Sequence, residues 1–151
     1  MERFVRMAAV MTLALSGCAK ACWDEAARAY GVDPWLLYGI AKVESALDPH
    51  ALNLGHFRRT GSYDIGLMQI NSRNLPALAK QGVTTEHLWD ACTSVYVGAR
   101  ILREKLDRHG DTWEAVGAYN AACTRLKSAT CREARMNYAW KVYRAIGKAR
   151  R

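Results

Sequence analysis

Apolar positions along this chain recur at helical spacing from end to end. Leu36, Leu37, Ile40, Val43 and Leu47 form one stripe, opened by Asp33 as a cap and Pro34 at the first helical position. The helix should end near Leu47, because Asp48 precedes Pro49. A short helix is predicted over Trp23 to Tyr30, with Ala26, Ala27 and Tyr30 inward and Gly31 as its stop. Asn71 or Ser72 can cap a helix through Leu75 to Lys80. Thr84 or Thr85 opens a turn over Glu86 to Trp89. Asp90 or Thr93 starts a longer helix with Val95, Ala99, Leu102 and Leu106 inward. Asp111 and Thr112 cap a helix from Trp113 to about Ala122. Met136, Ala139, Trp140, Tyr143 and Ile146 give a last amphipathic helix. Between these lies Gly61-Ser62-Tyr63-Asp64-Ile65-Gly66, a turn-rich stretch. The expected fold is a mainly α, single helical domain with at most a small β-hairpin near residues 55–66.

One position breaks the apolar pattern. Glu44 falls inside the stripe, between Val43 and Leu37 at 100° per residue, whereas Lys42 and Ser45 fall outside it. A carboxylate on that side must be paired or protonated, and its pKa should rise toward that of a general acid near neutral pH. The plain alternative is a glutamate reaching solvent at the rim.

The 151-residue length fits one domain with a real core. Residues 1–21 read as a targeting segment, leaving residues 22–151 as the domain. Arg3 and Arg6 form a basic start, and Met7–Leu15 an apolar stretch too short for a permanent span. Ala19-Lys20-Ala21 offers a small-x-small cleavage site. Leu15-Ser16-Gly17-Cys18 offers a competing lipobox, which would leave Cys18 lipidated. Both endings imply export to a bacterial periplasm, the second with a membrane anchor. Of 22 basic and 14 acidic residues, Arg3, Arg6, Lys20 and Glu2 lie in this segment. The remaining 19 and 13 leave a net charge of +6, which draws the protein to a polyanion. No basic run interleaved with aromatics and no recognition-helix pattern supports nucleic acid.

Beyond Cys18, four cysteines remain, and an even number in an oxidising compartment reads as two disulfides. Cys123 and Cys131 are close enough in sequence to close a short loop, which leaves Cys22 with Cys92. No C-x-x-C spacing occurs and the histidines are scattered, so no metal site is expected.

Three segments carry further chemistry: Val43-Glu44-Ser45, Gly66-Leu67-Met68-Gln69-Ile70-Asn71, and Ala118-Tyr119-Asn120-Ala121-Ala122. In this order and at these gaps the chain resembles the lysozyme-like lytic transglycosylases of the soluble-lytic-transglycosylase (SLT) family, over Cys22 to about Ile146. It looks nearest to the small exported members that accompany secretion, pilus or conjugation machines. The resemblance implies peptidoglycan as substrate and no cofactor. It implies cleavage of the β-1,4 bond after N-acetylmuramic acid, with Glu44 as general acid and then as base on the sugar's own 6-hydroxyl, giving a 1,6-anhydro end.

The same resemblance gives the neighbouring residues their expected roles. Ser45 shapes the end of the catalytic helix. Gly66 lets the backbone pass close to the sugar. Met68 and Gln69 line the cleft, while Leu67 and Ile70 pack in the core. Tyr119 sets its hydroxyl against Glu44, and Asn120 acts as a structural hydrogen bonder. The family continues the last segment with Gly, where this chain has Ala122. A second resemblance, of Lys42–Ser45, Gly61–Gly66 and Gln69–Arg73, is to animal-type lysozymes. There Asp64 takes the position of the second carboxylate and the reaction becomes hydrolysis. A non-catalytic glycan-binding module and a membrane-active cationic helical protein are the readings from other classes.

Overall fold

The computed structural model describes residues 13–123 and 128–151. Most of the expected targeting segment, Arg3, Arg6 and Met7 to Thr12 included, lies outside them. The first helix, α1 (Leu13–Tyr30), begins well before Trp23 and runs through the candidate cleavage site without a break.

Helix α2 (Pro34–Ser45) starts as its sequence dictates. Asp33 accepts a hydrogen bond from the Trp35 amide at 2.7 Å, and Pro34 occupies the first turn. It stops at Ser45 rather than Leu47, because Ala46 and Leu47 take left-handed backbone angles, φ 56° and 71°. Two consecutive non-glycine residues in this region store strain. The chain thus reverses directly after Glu44.

The small β element is a three-stranded antiparallel sheet of β1 (Leu52–Asn53), β2 (Asp64–Ile65) and β3 (Ile70–Asn71), in that order. Only β2 lies within 55–66. A single helical turn, α3 (Phe57–Thr60), occupies part of that span. A 3₁₀ turn capped by the Asn71 side chain leads into α4 (Leu75–Ala79), and a second covers Glu86–Trp89.

Three further helices complete the domain. In α5 (Ala91–His109) Asp90 accepts from the Thr93 amide, and in α6 (Trp113–Asn120) Thr112 accepts from the Ala115 amide. Helix α7 (Ser128–Ala149) packs on both α6 and α2. A side chain at Gly117 would collide with the Arg135 carbonyl, so α6 and α7 can approach this closely only with glycine there.

The inward face of α7 is Cys131, Tyr138, Ala139 and Val142, with Ile146 partly covered. Met136, Trp140 and Tyr143, expected inward, are 47%, 56% and 51% exposed. Their apolar character suggested one face; the close approach of α2 and α6 selects another. The core holds Leu37, Ile40, Ile65, Met68, Leu88 and Leu102, all fully buried. Both expected disulfides are present, Cys22–Cys92 with Cα atoms 5.4 Å apart and Cys123–Cys131 at 5.5 Å. Among the described residues no helix is long and apolar enough to cross a membrane.

Candidate active site

Glu44 sits on the last turn of α2, half-buried where α2, α6 and α7 meet. Burial pushes its carboxyl from 4.5 up to about 7, and the nearby Asp64 charge adds to the rise. Three groups oppose it by favouring the charged form: a hydrogen bond from Tyr138, one from Asn120, and the Lys141 charge. Near pH 7 the group can therefore either give or take a proton, which suits a single acid–base catalyst.

The contact that orients this carboxyl is Tyr138, whose hydroxyl donates to Glu44 Oε1 at 2.6 Å. Burial and the Glu44 charge both raise the Tyr138 pKa, so the phenol stays a donor. The sequence reading missed this residue. Tyr138, Ala139 and Val142 with Ile146 do make a helical stripe, but Met136, Trp140 and Tyr143 drew the expected stripe toward the other face.

Tyr119, expected to fill that role, points elsewhere. Its hydroxyl donates to the Met68 carbonyl at 2.9 Å. It remains near enough that the Glu44 and Asp64 charges, after burial, raise its pKa. Its neighbour Asn120, at the end of α6, has its side chain on Glu44.

The Gly66–Asn71 segment is joined to α2 through Ser45. The Ser45 hydroxyl lies 2.8 Å from the Leu67 carbonyl and 3.2 Å from the Ala41 carbonyl, within bonding reach of both. Met68 does not line an opening. It is fully buried against Gly98 of α5, where any added Cβ would meet its side chain, and its amide donates to Ser94 Oγ at 3.1 Å. Gln69 has φ 48° and holds that turn itself, its Nε2 donating to the Gly66 carbonyl at 2.9 Å and the Ala51 carbonyl at 3.1 Å. Gly66 is required at φ 72° and by a close neighbour: an added Cβ would strike the Leu88 carbonyl.

Asp64 is partly buried on β2. Asn71 Nδ2 donates to Oδ1 at 2.7 Å, Asn53 Nδ2 reaches Oδ2 at 3.5 Å, and His56 Nδ1 lies 3.7 Å from Oδ2. The carboxylate is thus held within the sheet while its charge is felt at Glu44. Among the described residues no group of His, Cys, Asp and Glu is arranged to hold a metal ion.

Residues 21–139 match the family model described as Transglycosylase SLT domain. The chain is 43% identical over 129 residues to "Invasion protein IagB" of Salmonella typhimurium (strain SL1344), an alignment covering 83% of this chain and 76% of that protein. It is 38% identical over 124 residues to "Protein IpgF" of Shigella flexneri, covering 82% and 77%, and 41% identical over 124 residues to an Escherichia coli "X polypeptide", covering 82% and 70%. With the motif segments gathered around one half-buried glutamate, and with relatives this similar over most of its length, the chain belongs to the transglycosylase SLT domain family.

Proposed function

We propose that this protein is a peptidoglycan lytic transglycosylase that opens the wall locally for an envelope-spanning secretion, pilus or conjugation apparatus. The observation that carries the reading is Glu44: one tuned carboxyl, neutral or charged near pH 7, held by Tyr138 and Asn120. Protonated Glu44 gives its proton to the leaving glycosidic oxygen as the C1–O bond breaks. The resulting carboxylate then takes the proton of the muramyl 6-hydroxyl while O6 bonds to C1. The product carries a 1,6-anhydro ring, Glu44 ends protonated again, and no water is consumed. Gln69 keeps its amide oxygen for an acetamido or hydroxyl donor while its nitrogen holds the turn. The apparatus follows from the resemblance to the small exported members of the family, and a relative known as an invasion protein in Salmonella is compatible with it. Two disulfides favour an oxidising compartment, and thus a periplasmic site of action.

A lysozyme-type hydrolase is the second reading. It rests on Asp64, whose charge reaches Glu44 and could stabilise positive charge at C1. Mass spectrometry of muropeptides released from purified peptidoglycan separates the two. Anhydro products, one water lighter than hydrolytic ones, are expected, and the Glu44→Gln protein should release them at least about a hundredfold more slowly. Hydrated reducing ends dependent on Glu44 would transfer the assignment to the hydrolase. Release by the Glu44→Gln variant at the parent rate would remove Glu44 from the chemistry.

A further inference from the structure

Helix α7 has a second face, turned away from Glu44. Tyr138 points inward; at 100° per residue Trp140 lies roughly 160° around the helix from it. Here Met136, Trp140 and Tyr143 stand exposed, and Trp113, 39% exposed, joins them edge-to-face with Tyr143 at 5.6 Å. Trp140 and Tyr143 are stacked, 5.2 Å between centres with 13° between planes, and the Arg144 guanidinium lies 5.9 Å from the Trp140 ring centre.

Cations flank this aromatic seam. On one side a groove of about 510 Å³ runs between α2 and α7, lined by Tyr38, Lys42, Lys141, Arg144 and Lys148 with two alanines and no acidic residue. Near the C-terminal end of the helix, the Arg150 guanidinium lies 4.9 Å over the Trp35 ring, which is itself 37% exposed.

Aromatic rings set among cations along one long helix match an anionic lipid interface. The rings sit at headgroup depth, and the cations meet phosphates. A sugar platform fits less well, because Trp140 already carries Tyr143 and Arg144 on its ring. The direction of the chain agrees. Cys22 and Trp23, where the domain begins, line one apolar cavity of about 800 Å³ with Ala149. A tether ahead of Cys22 would therefore hold the basic end of α7 toward a membrane.

We propose that the outer face of α7 docks this protein on an anionic phospholipid surface, with the α2–α7 groove receiving the phosphate headgroup. Glu44 lies on the Tyr138 side of α7, away from the aromatic seam, and shares only Lys141 with the groove. This inference does not depend on the glycan-cleavage reading.

The test is co-sedimentation of the exported protein with vesicles, using Cys18→Ser throughout so that no lipid on that residue contributes. The vesicles are phosphatidylcholine alone, or phosphatidylcholine with about a quarter phosphatidylglycerol. Binding only to the anionic vesicles is expected, weakening as salt rises above about 0.1 M. Arg144→Glu with Lys148→Glu should weaken it more than about tenfold, and Trp140→Ser several-fold. Circular dichroism and muropeptide release from soluble fragments, both unchanged, would show that these variants fold. Equal binding by parent and variants, or no binding to anionic vesicles, would overturn the proposal. Retention on isolated cell-wall sacculi, lost in the same variants without any vesicle binding, would also overturn it and give the face to glycan.

Discussion

The two segments that flank Glu44 are built in opposite ways. On the helical side, α6 and α7 bring side chains: the Tyr138 hydroxyl, the Asn120 amide and the Lys141 charge all act on the carboxyl. On the Gly66–Asn71 side the backbone is what is presented. The Leu67 carbonyl meets Ser45 and the Met68 carbonyl meets Tyr119. The Met68 side chain is spent on packing and the Gln69 side-chain nitrogen on holding the turn. One side thus sets proton affinity and the other sets position. Changes on the first should move pH dependence; changes on the second should move stability and rate with no shift along the pH axis.

The largest effect is expected at Glu44 itself. Glu44→Gln removes the acid–base group and should cost about 10²–10⁴-fold in anhydromuropeptide release. The same change should stabilise the fold at high pH. The folded carboxyl is raised from 4.5 to about 7, so the folded state keeps its proton where the unfolded chain has lost it. Parent stability is fully present below about 4.5 and falls as pH rises through 7. The gap between variant and parent should open over that window to at most about 3 kcal/mol. Thermal melts at pH 4 to 8 would measure it, and a constant gap would contradict the burial assigned to Glu44.

Gly66→Ala tests the backbone side most severely. Both the positive φ and the Leu88 carbonyl oppose a side chain, so a loss of about 2–4 kcal/mol is expected. Denaturant titration would measure it. Where folded protein remains, the pH profile of its activity should keep the parent midpoints.

The two tyrosines make the sharpest contrast. Tyr138→Phe removes a bond that favours charged Glu44, so the carboxyl pKa should rise and the alkaline limb of activity should move to higher pH. Tyr119→Phe removes a bond to a main-chain carbonyl. It should cost about 1–2 kcal/mol of stability and leave that limb in place. A common shift in both variants would show that the division between the two sides is wrong.

Much of this arrangement could be read from local pattern. Asp33-Pro34, Asp90 and Thr112 start helices where their capping chemistry demands, and Glu44 stands out because a charge interrupts an apolar stripe. Cysteine counting found both disulfides for the same reason: few pairings were open. What escaped depends on distant contacts. Tyr138 lies 94 residues from Glu44, and its orientation follows from the rotation of α7, which close packing against α2 and α6 fixes. Trp140 and Tyr143 have the composition of a core stripe and occupy the surface. Met68 looked available for a ligand until Gly98, on α5, provided the space that buries it. The constraint on Gly66 that the structure shows comes from Leu88, a partner no local motif names.

Ser45 joins the two sides, and its variant should have the smallest effect. Its hydroxyl is the link between the last turn of α2 and the Leu67 carbonyl. Ser45→Ala leaves that carbonyl without this donor and should cost about 1 kcal/mol in a denaturant titration. The strained turn at Ala46 and Leu47 gives the loss a kinetic consequence. Without the tether, the end of α2 is freer to relax and to move Glu44 relative to bound glycan. The rate at saturating substrate should then fall a few-fold, while the pH midpoints hold, because Tyr138, Asn120 and Asp64 still set the carboxyl's proton affinity. A shifted midpoint in Ser45→Ala would mean that the backbone side also tunes the acid, and the separation of position from proton affinity would fail at the residue where the two sides meet.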